Sequence, residues 1–504
     1  MDIQIAWTKF VKDFEGEKTS TQRLLHRFLR QAIQTGLLPA GTRLASTRSL
    51  ANELGIARNT VVYAYEQLLS EGFVSASRQG SVVNDVGLLP KPARESIKKP
   101  SKQAPVSVLN ETLTHAAAKV LSDRTTSLMD LPVPAELSGA FAPGVPAVDA
   151  FSVVRWRRLL EQEWRRSTPN DLAYGEACGE SSLRLAIADY LRASRGVICE
   201  PEQVVITDGT QSSLDLCARA FADAGDKVWI ENPGYVGAQL AFKAAQLRMI
   251  GIAVDDEGMA PLHGDWQKHT PKLIYVTPSH QYPTGKVMSL ARRLDLLRRA
   301  AEHQTWIIED DYDSEFRHEG PPLPAMQGLI PDAPVLYLGT FSKTLFPAIR
   351  IGYIILPQVV APAFRVHFQR AFLRGRSIEQ KALARFVAEG YFAQHVRRMR
   401  RLYKERRDAL VKALYELLPP EIEVHGDTAG MHLALRFVDG QRKKQGRDDA
   451  DISQRALREG LVIPALSRLT VGQRHSEWQG LMLGYAQVPA DQMRQQVKRL
   501  LKFL

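Results

Sequence analysis

The sequence predicts a multidomain chain: a small helical module closed by a β-hairpin, then a large α/β domain built on a mostly parallel sheet. Three observations predict it. Residues 20–69 carry three short stretches with apolar residues near the helical period. From about residue 200 onward, short β-rich runs alternate with helical stretches. The chain of 504 residues at 44% hydrophobic composition is long enough for two buried cores of unequal size.

In the first module, Ser20 to Gln34 reads as an amphipathic helix with Leu24, Leu25, Phe28, Leu29 and Ile33 on one face, stopping at Thr35-Gly36. Ser46 can cap a second, shorter helix carrying Leu50, Ala51 and Leu54, and Gly55 lets the chain turn into a third segment starting near Ala57. That third helix places Val61, Tyr65, Leu68 and Leu69 at i, i+4, i+7 and i+8. Arg58, Asn59, Thr60 and Tyr63 are left near its outward N-terminal end, residue types suited to phosphates and base edges. Phe73 to Val83 reads as two short strands about a turn, a wing. These residues resemble the GntR family of winged helix-turn-helix domains: Leu44-Ala45-Ser46-Thr47-Arg48-Ser49-Leu50-Ala51, Ala57-Arg58-Asn59-Thr60-Val61, Ala64-Tyr65, Glu71-Gly72 and Arg78-Gln79-Gly80. The resemblance implies that Arg48, Arg58, Asn59, Thr60 and Arg78 contact double-stranded DNA and that Gly80 brings the wing tip close to it.

Residues 84–125 read as a linker, because periodicity fades and Pro90, Pro92, Pro100 and Pro105 are interspersed with Lys91, Arg94, Lys98, Lys99 and Lys102. A helix around Leu109 to Leu121 would shorten its extended part. The expected domains are thus 1–83, the linker, and 126–504.

In the large domain, strands are expected at Gln203–Thr207, Lys227–Ile230, Lys272–Val276, Thr305–Ile308 and Val335–Leu338, each ending in polar residues. Such a sheet binds ligands at the carboxyl ends of its strands. Gly209, Thr210 and Gln211 open a helix, where free N–H groups and the helix dipole attract an anion. Tyr235 can stack on a heterocycle. The carboxylates and phenol of Glu309-Asp310-Asp311-Tyr312 can meet a ring nitrogen and a ring hydroxyl. Lys343 follows the next strand within Gly339-Thr340-Phe341-Ser342-Lys343, with Arg350 beyond it to pair with a phosphate. An amine with its proton removed by burial or nearby cations can form a Schiff base.

Together these residues resemble fold-type I pyridoxal phosphate (PLP) enzymes, the aspartate aminotransferase superfamily, over roughly 140–504. The resemblance implies a PLP-dependent transferase-like fold with a small C-terminal α/β subdomain. It implies PLP in Schiff-base linkage to Lys343, Asp310 at the pyridine nitrogen, Tyr312 at the ring oxygen and Tyr235 stacked on the ring. Gly209, Thr210, Gln211, Thr340, Ser342 and Arg350 would surround the phosphate, together with Tyr174 from a partner subunit. Aminotransferases space the aspartate and tyrosine three residues apart and Asp310 to Tyr312 is two, so Asp311 remains an alternative at the nitrogen. Where those enzymes have Asn-Pro-Thr-Gly, this chain has Tyr282-Pro283-Thr284-Gly285, which puts Tyr282 beside the cofactor. Met482 stands where they keep the arginine for a substrate α-carboxylate; either Arg436 or Arg468 replaces it or the ligand lacks that group.

Joined to the winged helix, the whole chain resembles the MocR subfamily of GntR regulators, through Phe141-Ala142-Pro143-Gly144-Val145-Pro146, Thr277 to Gly285 and Glu309 to Arg317. The expectation is a PLP-dependent transcriptional regulator that senses an amine or amino-acid effector, or PLP itself, through the Lys343 aldimine. It would act as a head-to-tail homodimer, each DNA-binding domain over the partner's large domain. A catalytically active aminotransferase is the alternative.

Charge, cysteines and hydropathy agree with a DNA-binding protein of a reducing compartment. The net charge is +11. Residues 361–407 hold 13 Lys/Arg against 3 Asp/Glu, read as a solvated helical face with a supplementary DNA track as alternative. Cys178, Cys199 and Cys217 form neither a disulfide framework nor a metal-ligand pair and read as buried thiols, so no metal is expected. With no leader and no run of about 18 apolar residues, the expected location is the cytoplasm, with no membrane partner.

Overall fold

The computed structural model describes residues 3–12, 20–77, 80–84, 139–318, 323–371, 375–438, 448–471 and 478–504. The chain divides into two compact units, Met1–Lys102 with Ser289–Arg298, and Gln103–Met288 with Arg299–Leu504. The possible helix around Leu109 to Leu121 and almost all of the stretch 84–125 lie outside the described residues.

In the first unit the three expected helices are Thr21–Gln34, Thr47–Leu54 and Arg58–Ser70. The Ser46 hydroxyl accepts from Ser49 N at 3.1 Å and so caps the second of them. Gly55 ends that helix at φ 66°, in the left-handed region that a side chain disfavours. Val61, Tyr65 and Leu68 are buried, and the Tyr65 hydroxyl donates to Ala45 O at 2.8 Å. Leu69, expected on the same stripe, is 44% exposed, because the i+8 position has rotated past the buried face. Strands β1 (Val74–Ser77) and β2 (Gly80–Val83) pair antiparallel, and Arg43 bridges to Val82, so the wing is braced by the segment ahead of the second helix. A further helix, Ile3–Lys12, lies outside the expectations above. Its Trp7 and Phe10 rings close on Phe28 at 5.4 and 5.5 Å, an aromatic anchor that a three-residue spacing of two rings could have signalled.

The second unit is built on an eight-stranded sheet of β3 (Val204–Thr207), β4 (Lys227–Asn232), β5 (Arg248–Asp255), β6 (Gly258–Met259), β7 (Leu273–Val276), β8 (Trp306–Asp311), β9 (Val335–Thr340) and β10 (Gly352–Ile355). Their order is β3-β10-β9-β8-β7-β4-β5-β6. The pairs β9–β8, β8–β7, β7–β4 and β4–β5 are parallel; β10 runs antiparallel to both neighbours, which leaves β3 pointing the same way as β9, and the edge strand β6 runs antiparallel to β5. Continuous apolar strands such as Leu273–Val276 and Ile307–Ile308 are fully buried, as a sheet covered on both faces requires. The small C-terminal subdomain is a three-stranded antiparallel sheet, β11 (Ile422–His425), β12 (His432–Phe437) and β13 (Gly480–Gly484), with its own core around Leu410, Leu433, Leu483 and Val497.

The basic run of 361–407 is only partly the solvated face expected. On the helix Tyr391–Leu417, Arg406 and Arg407 are buried, Arg400 donates to Glu315 O at 2.9 Å, and Arg398 and Arg406 reach the carbonyls of Ala150 and Ala486. Long cationic side chains here tie backbone carbonyls of neighbouring segments to the helix. All three cysteines are buried free thiols. Among the described residues no helix is long and apolar enough to cross a membrane.

Phe28→Ala removes the ring on which both Trp7 and Phe10 rest and should destabilise the first unit by about 3–5 kcal/mol. Chemical denaturation followed by circular dichroism reads the shift, and a change below about 1 kcal/mol would show that the helix Ile3–Lys12 is not anchored there.

Candidate functional site

Strand register brings the polar segments of the second unit to one edge of the sheet. Thr207, Gly352 and Thr340 are neighbours across β3, β10 and β9, while Asp311 lies opposite Gly339 and Glu309 opposite Val276. The loops leaving these strands carry Gly209, Tyr312, Ser342 and Lys343, and Asp310 stands at the end of β8.

Lys343 is half-buried, and its Nζ donates to Gly144 O at 2.7 Å. Burial lowers its pKa from the ordinary lysine value; the charges of Asp313 and Asp310 oppose that shift and Arg350 reinforces it. Asp310 is buried and accepts from the Tyr275 hydroxyl at 2.7 Å through Oδ2, while its Oδ1 has no hydrogen-bond partner. Burial pushes its pKa up to about 7. Asp311, the alternative at this position, is turned the other way: its Oδ2 is held 2.8 Å from Arg195 Nε in a buried ion pair, and the same guanidinium donates to Ser279 Oγ at 2.7 Å. The two adjacent carboxylates therefore have opposite duties, because successive residues of a strand face opposite sides of the sheet.

At the neighbouring helix start, Gly209 (φ 98°) precedes the helix Thr210–Phe221, and a Cβ on it would stand 3.5 Å from the Arg350 guanidinium. The Ser342 hydroxyl is buried without a partner, and the Thr340 hydroxyl accepts from Ser342 N at 3.2 Å. Gln211 is committed elsewhere, its amide donating to Gly237 O at 3.0 Å. The rings of Tyr235 and Tyr282 meet edge to face at 5.4 Å, and Tyr282 stands 6.1 Å from Tyr312. The Tyr312 hydroxyl donates to His280 O at 2.9 Å. Tyr174, expected to serve a partner subunit, is 84% exposed.

Several participants escaped the sequence reading. Tyr275 and Arg195, which sort the two aspartates, sit in an apolar strand and on a helix with nothing local to mark them. Glu231 is buried, accepts from Thr277 N and Thr277 Oγ1 at 3.1 and 2.6 Å, and is raised by burial to about 7. His280 and Asp313 lie inside quoted motifs without an assigned role, and His432 could be placed only once β12 was.

In the first unit Arg48, Arg58, Asn59 and Gly80 are exposed. Arg58 Nε lies 3.4 Å from Thr47 Oγ1, joining the second and third helices. Thr60, expected to face outward, is 7% exposed: it lies a half-turn round from Arg58 and packs inward next to Val61. Arg78 lies outside the described residues. Arg43, exposed beside the position a Cβ on Gly80 would take, adds a cation at the wing that the sequence reading passed over.

Comparison with known proteins agrees with both halves. The bacterial regulatory protein family gntR matches residues 22–83, and the aminotransferase class I and II family matches residues 144–500. The chain is 40% identical over 479 residues to the probable rhizopine catabolism regulatory protein MocR of Rhizobium meliloti, covering 95% of this chain and 92% of the relative. The chain belongs to the MocR subfamily of GntR-type regulators. Another relative, the pyridoxine biosynthesis transcriptional regulator PdxR of Corynebacterium glutamicum, is 32% identical over 95% of this chain and 94% of its own. The multiple substrate aminotransferase of Thermococcus profundus superposes with a TM-score of 0.66 at 28% identity, covering 75% of this chain and 96% of that one. As a MocR-type protein the chain is a DNA-binding transcriptional regulator with an aminotransferase-like domain, and its cofactor is pyridoxal phosphate. The residues present fit that group. An orphan carboxylate oxygen, an orphan hydroxyl, a guanidinium against a helix start, and a lysine whose proton is loosened by burial are its complementary needs.

Burial raises both Asp310 and Glu231 to about 7, so the folded protein retains protons that the unfolded chain releases from about pH 4. The stability of the cofactor-free protein should therefore fall as pH rises from about 4 to about 7 and level off above. Asp310→Asn removes one of these contributions, to which Glu315 adds its own, and should flatten the slope in denaturant midpoints measured across that range; an unchanged slope would remove Asp310 from the account.

Proposed function

We propose that the aminotransferase-like domain of this regulator serves as a sensor, in which an amine or amino-acid effector, or pyridoxal phosphate itself, is read out at Lys343 and changes DNA binding by the winged helices. The observation that carries the reading is Lys343 itself, its amine drawn inward onto Gly144 O under the charges of Asp310 and Asp313, in a chain that also bears a DNA-reading module.

In this reading Asp310 meets the pyridine nitrogen, since its Oδ1 lacks any other partner, and Tyr275 orients it. Arg350, Gly209, Thr210, Thr340 and Ser342 hold the phosphate by charge, backbone N–H groups and hydroxyls. Tyr235, Tyr282 and Tyr312 wall the ring, and Gln211 acts at one remove by fixing the Gly237 segment next to Tyr235. When bound, pyridoxal phosphate supplies an aldehyde that condenses with a primary amine. Lys343 holds it, and burial keeps enough of that amine unprotonated to do so. The exposure of Tyr174 supports a homodimer in which Tyr174 of the partner subunit completes the phosphate site. Arg48, Arg58, Asn59, Gly80 and Arg78 are the proposed DNA contacts, with 84–125 as a tether.

The fold leaves turnover open, but two residues favour sensing. Tyr282 occupies the place of an amide that aminotransferases direct to the ring oxygen. Met482 is buried on β13 opposite Ala434, so it presents a thioether where a substrate carboxylate would need a cation.

Arg58→Ala should weaken operator binding by about 1–3 kcal/mol, and an unchanged isotherm would take Arg58 out of the interface. Lys343→Ala should keep operator binding and lose both the covalent retention of cofactor through denaturing gel filtration after borohydride reduction and the response of DNA binding to amines. Retained amine-dependent transcription in that variant would sink the sensing role of Lys343.

A further inference from the structure

The segments that follow β7 and β8 meet strand β12 of the C-terminal subdomain in a compact polar cluster. His280, Asp313 and His432 are buried to within 2% exposure and lie together, with His280 Nδ1 3.0 Å from Asp313 Oδ2 and the two imidazole rings 4.7 Å apart. His432 sits on β12, two residues from Ala434, which pairs with Met482 on β13. The Tyr282 ring packs 5.5 Å from His432 and also against the cluster of Ala434 and Met482. The group is packed with intent: a Cβ on Gly430 would stand 2.1 Å from His280 Cε1 and 2.6 Å from Asp313 Oδ2, so only glycine at this left-handed turn (φ 80°) admits the pair.

His280 is the ion-pair partner of Asp313, which has neither lysine nor arginine within salt-bridge distance among the described residues. Asp313 is the largest charge acting on Lys343. The His432 Nε2 lies 3.2 Å from Pro283 O, which can only accept, so Nε2 carries the proton and Nδ1 presents a lone pair. Of the two cations considered for a carboxylate, one is stacked on a ring and the other faces solvent. Arg436 lies 5.0 Å over the Trp478 ring, and Arg468 is exposed.

We propose that the effector of this site is a carboxylate-free amine bearing a second hydrogen-bond-donating group, an ammonium or a hydroxyl, received by Asp313 and His432. The proposal rests on the amine-sensing reading above. A donor on the ligand would give Asp313 a hydrogen-bonded partner in addition to His280. A ligand carboxylate would instead meet the Asp313 carboxylate, the His432 lone pair and the Met482 thioether, which do not offset its desolvation.

The test is a titration of the cofactor absorption spectrum of the full-length, cofactor-loaded protein with a matched set: 1,4-diaminobutane, 4-amino-1-butanol, 4-aminobutanoate, butylamine and L-alanine. The diamine, the amino alcohol or both should half-saturate at concentrations at least about tenfold below the other three, as one charge-assisted hydrogen bond implies. Which of the two leads distinguishes a cationic from a hydroxylated effector. Tighter binding of L-alanine or 4-aminobutanoate, or butylamine equal to both donors, overturns the proposal. A spectrum that no amine shifts overturns the amine-sensing reading itself, and this proposal with it. Asp313→Asn should abolish the preference over butylamine while butylamine still shifts the spectrum. If that variant does not load with cofactor, His432→Phe, which removes the acceptor while keeping a ring against Tyr282, should shrink the preference in the same assay.

Discussion

Desolvating a lysine amine is the constraint around which the second unit is arranged. A primary amine in water is protonated at neutral pH and is a poor nucleophile; enclosure removes that protection but leaves a charge problem whenever the proton remains. Lys343 meets it with a carbonyl at 2.7 Å and two carboxylates near enough to act on its charge. Each of those carboxylates then needs its own setting. Asp310 takes a tyrosine hydroxyl, and Asp313 takes His280. The polar groups of the site are thus a chain of compensations that begins at one nitrogen.

The sheet makes that chain affordable in space. Parallel strands deliver their carboxyl ends to one edge, and strand alternation lets Asp310 and Asp311 be adjacent in sequence yet serve different sides. Arg195 holds Asp311 in a buried pair, removing it from competition for the site. That pair contributes to the fold mainly by what its disruption would leave behind, an unpaired charge in the interior.

Much of this was legible in the sequence. Five strands, the helix start at Gly209, Lys343 and the three helices with their wing follow from periodicity, capping residues and the polar ends of apolar runs, all local signals. What escaped depends on contacts between residues far apart in the chain. No local pattern pairs Tyr275 with Asp310, or Arg195 with Asp311 across 116 positions. Thr60 and Leu69 were misplaced because an ideal helical wheel fixes faces only to within a residue, and the packing partners decide the rest. The basic run 397–407 looked solvated because charge suggests water, yet arginines also serve as long donors to buried carbonyls.

A regulator of this design works only if ligand and DNA are energetically linked: whatever the amine does to operator affinity, the operator must do to amine affinity by the same factor. The decisive measurement is that thermodynamic cycle on the cofactor-loaded protein, with operator binding measured with and without a saturating amine, and amine binding with and without operator. The account predicts equal and substantial fold-changes on the two sides of the cycle, with the cofactor retained. An amine that alters the cofactor spectrum but leaves operator affinity unchanged would contradict it, and release of a keto product would make the domain an enzyme beside a DNA-binding module.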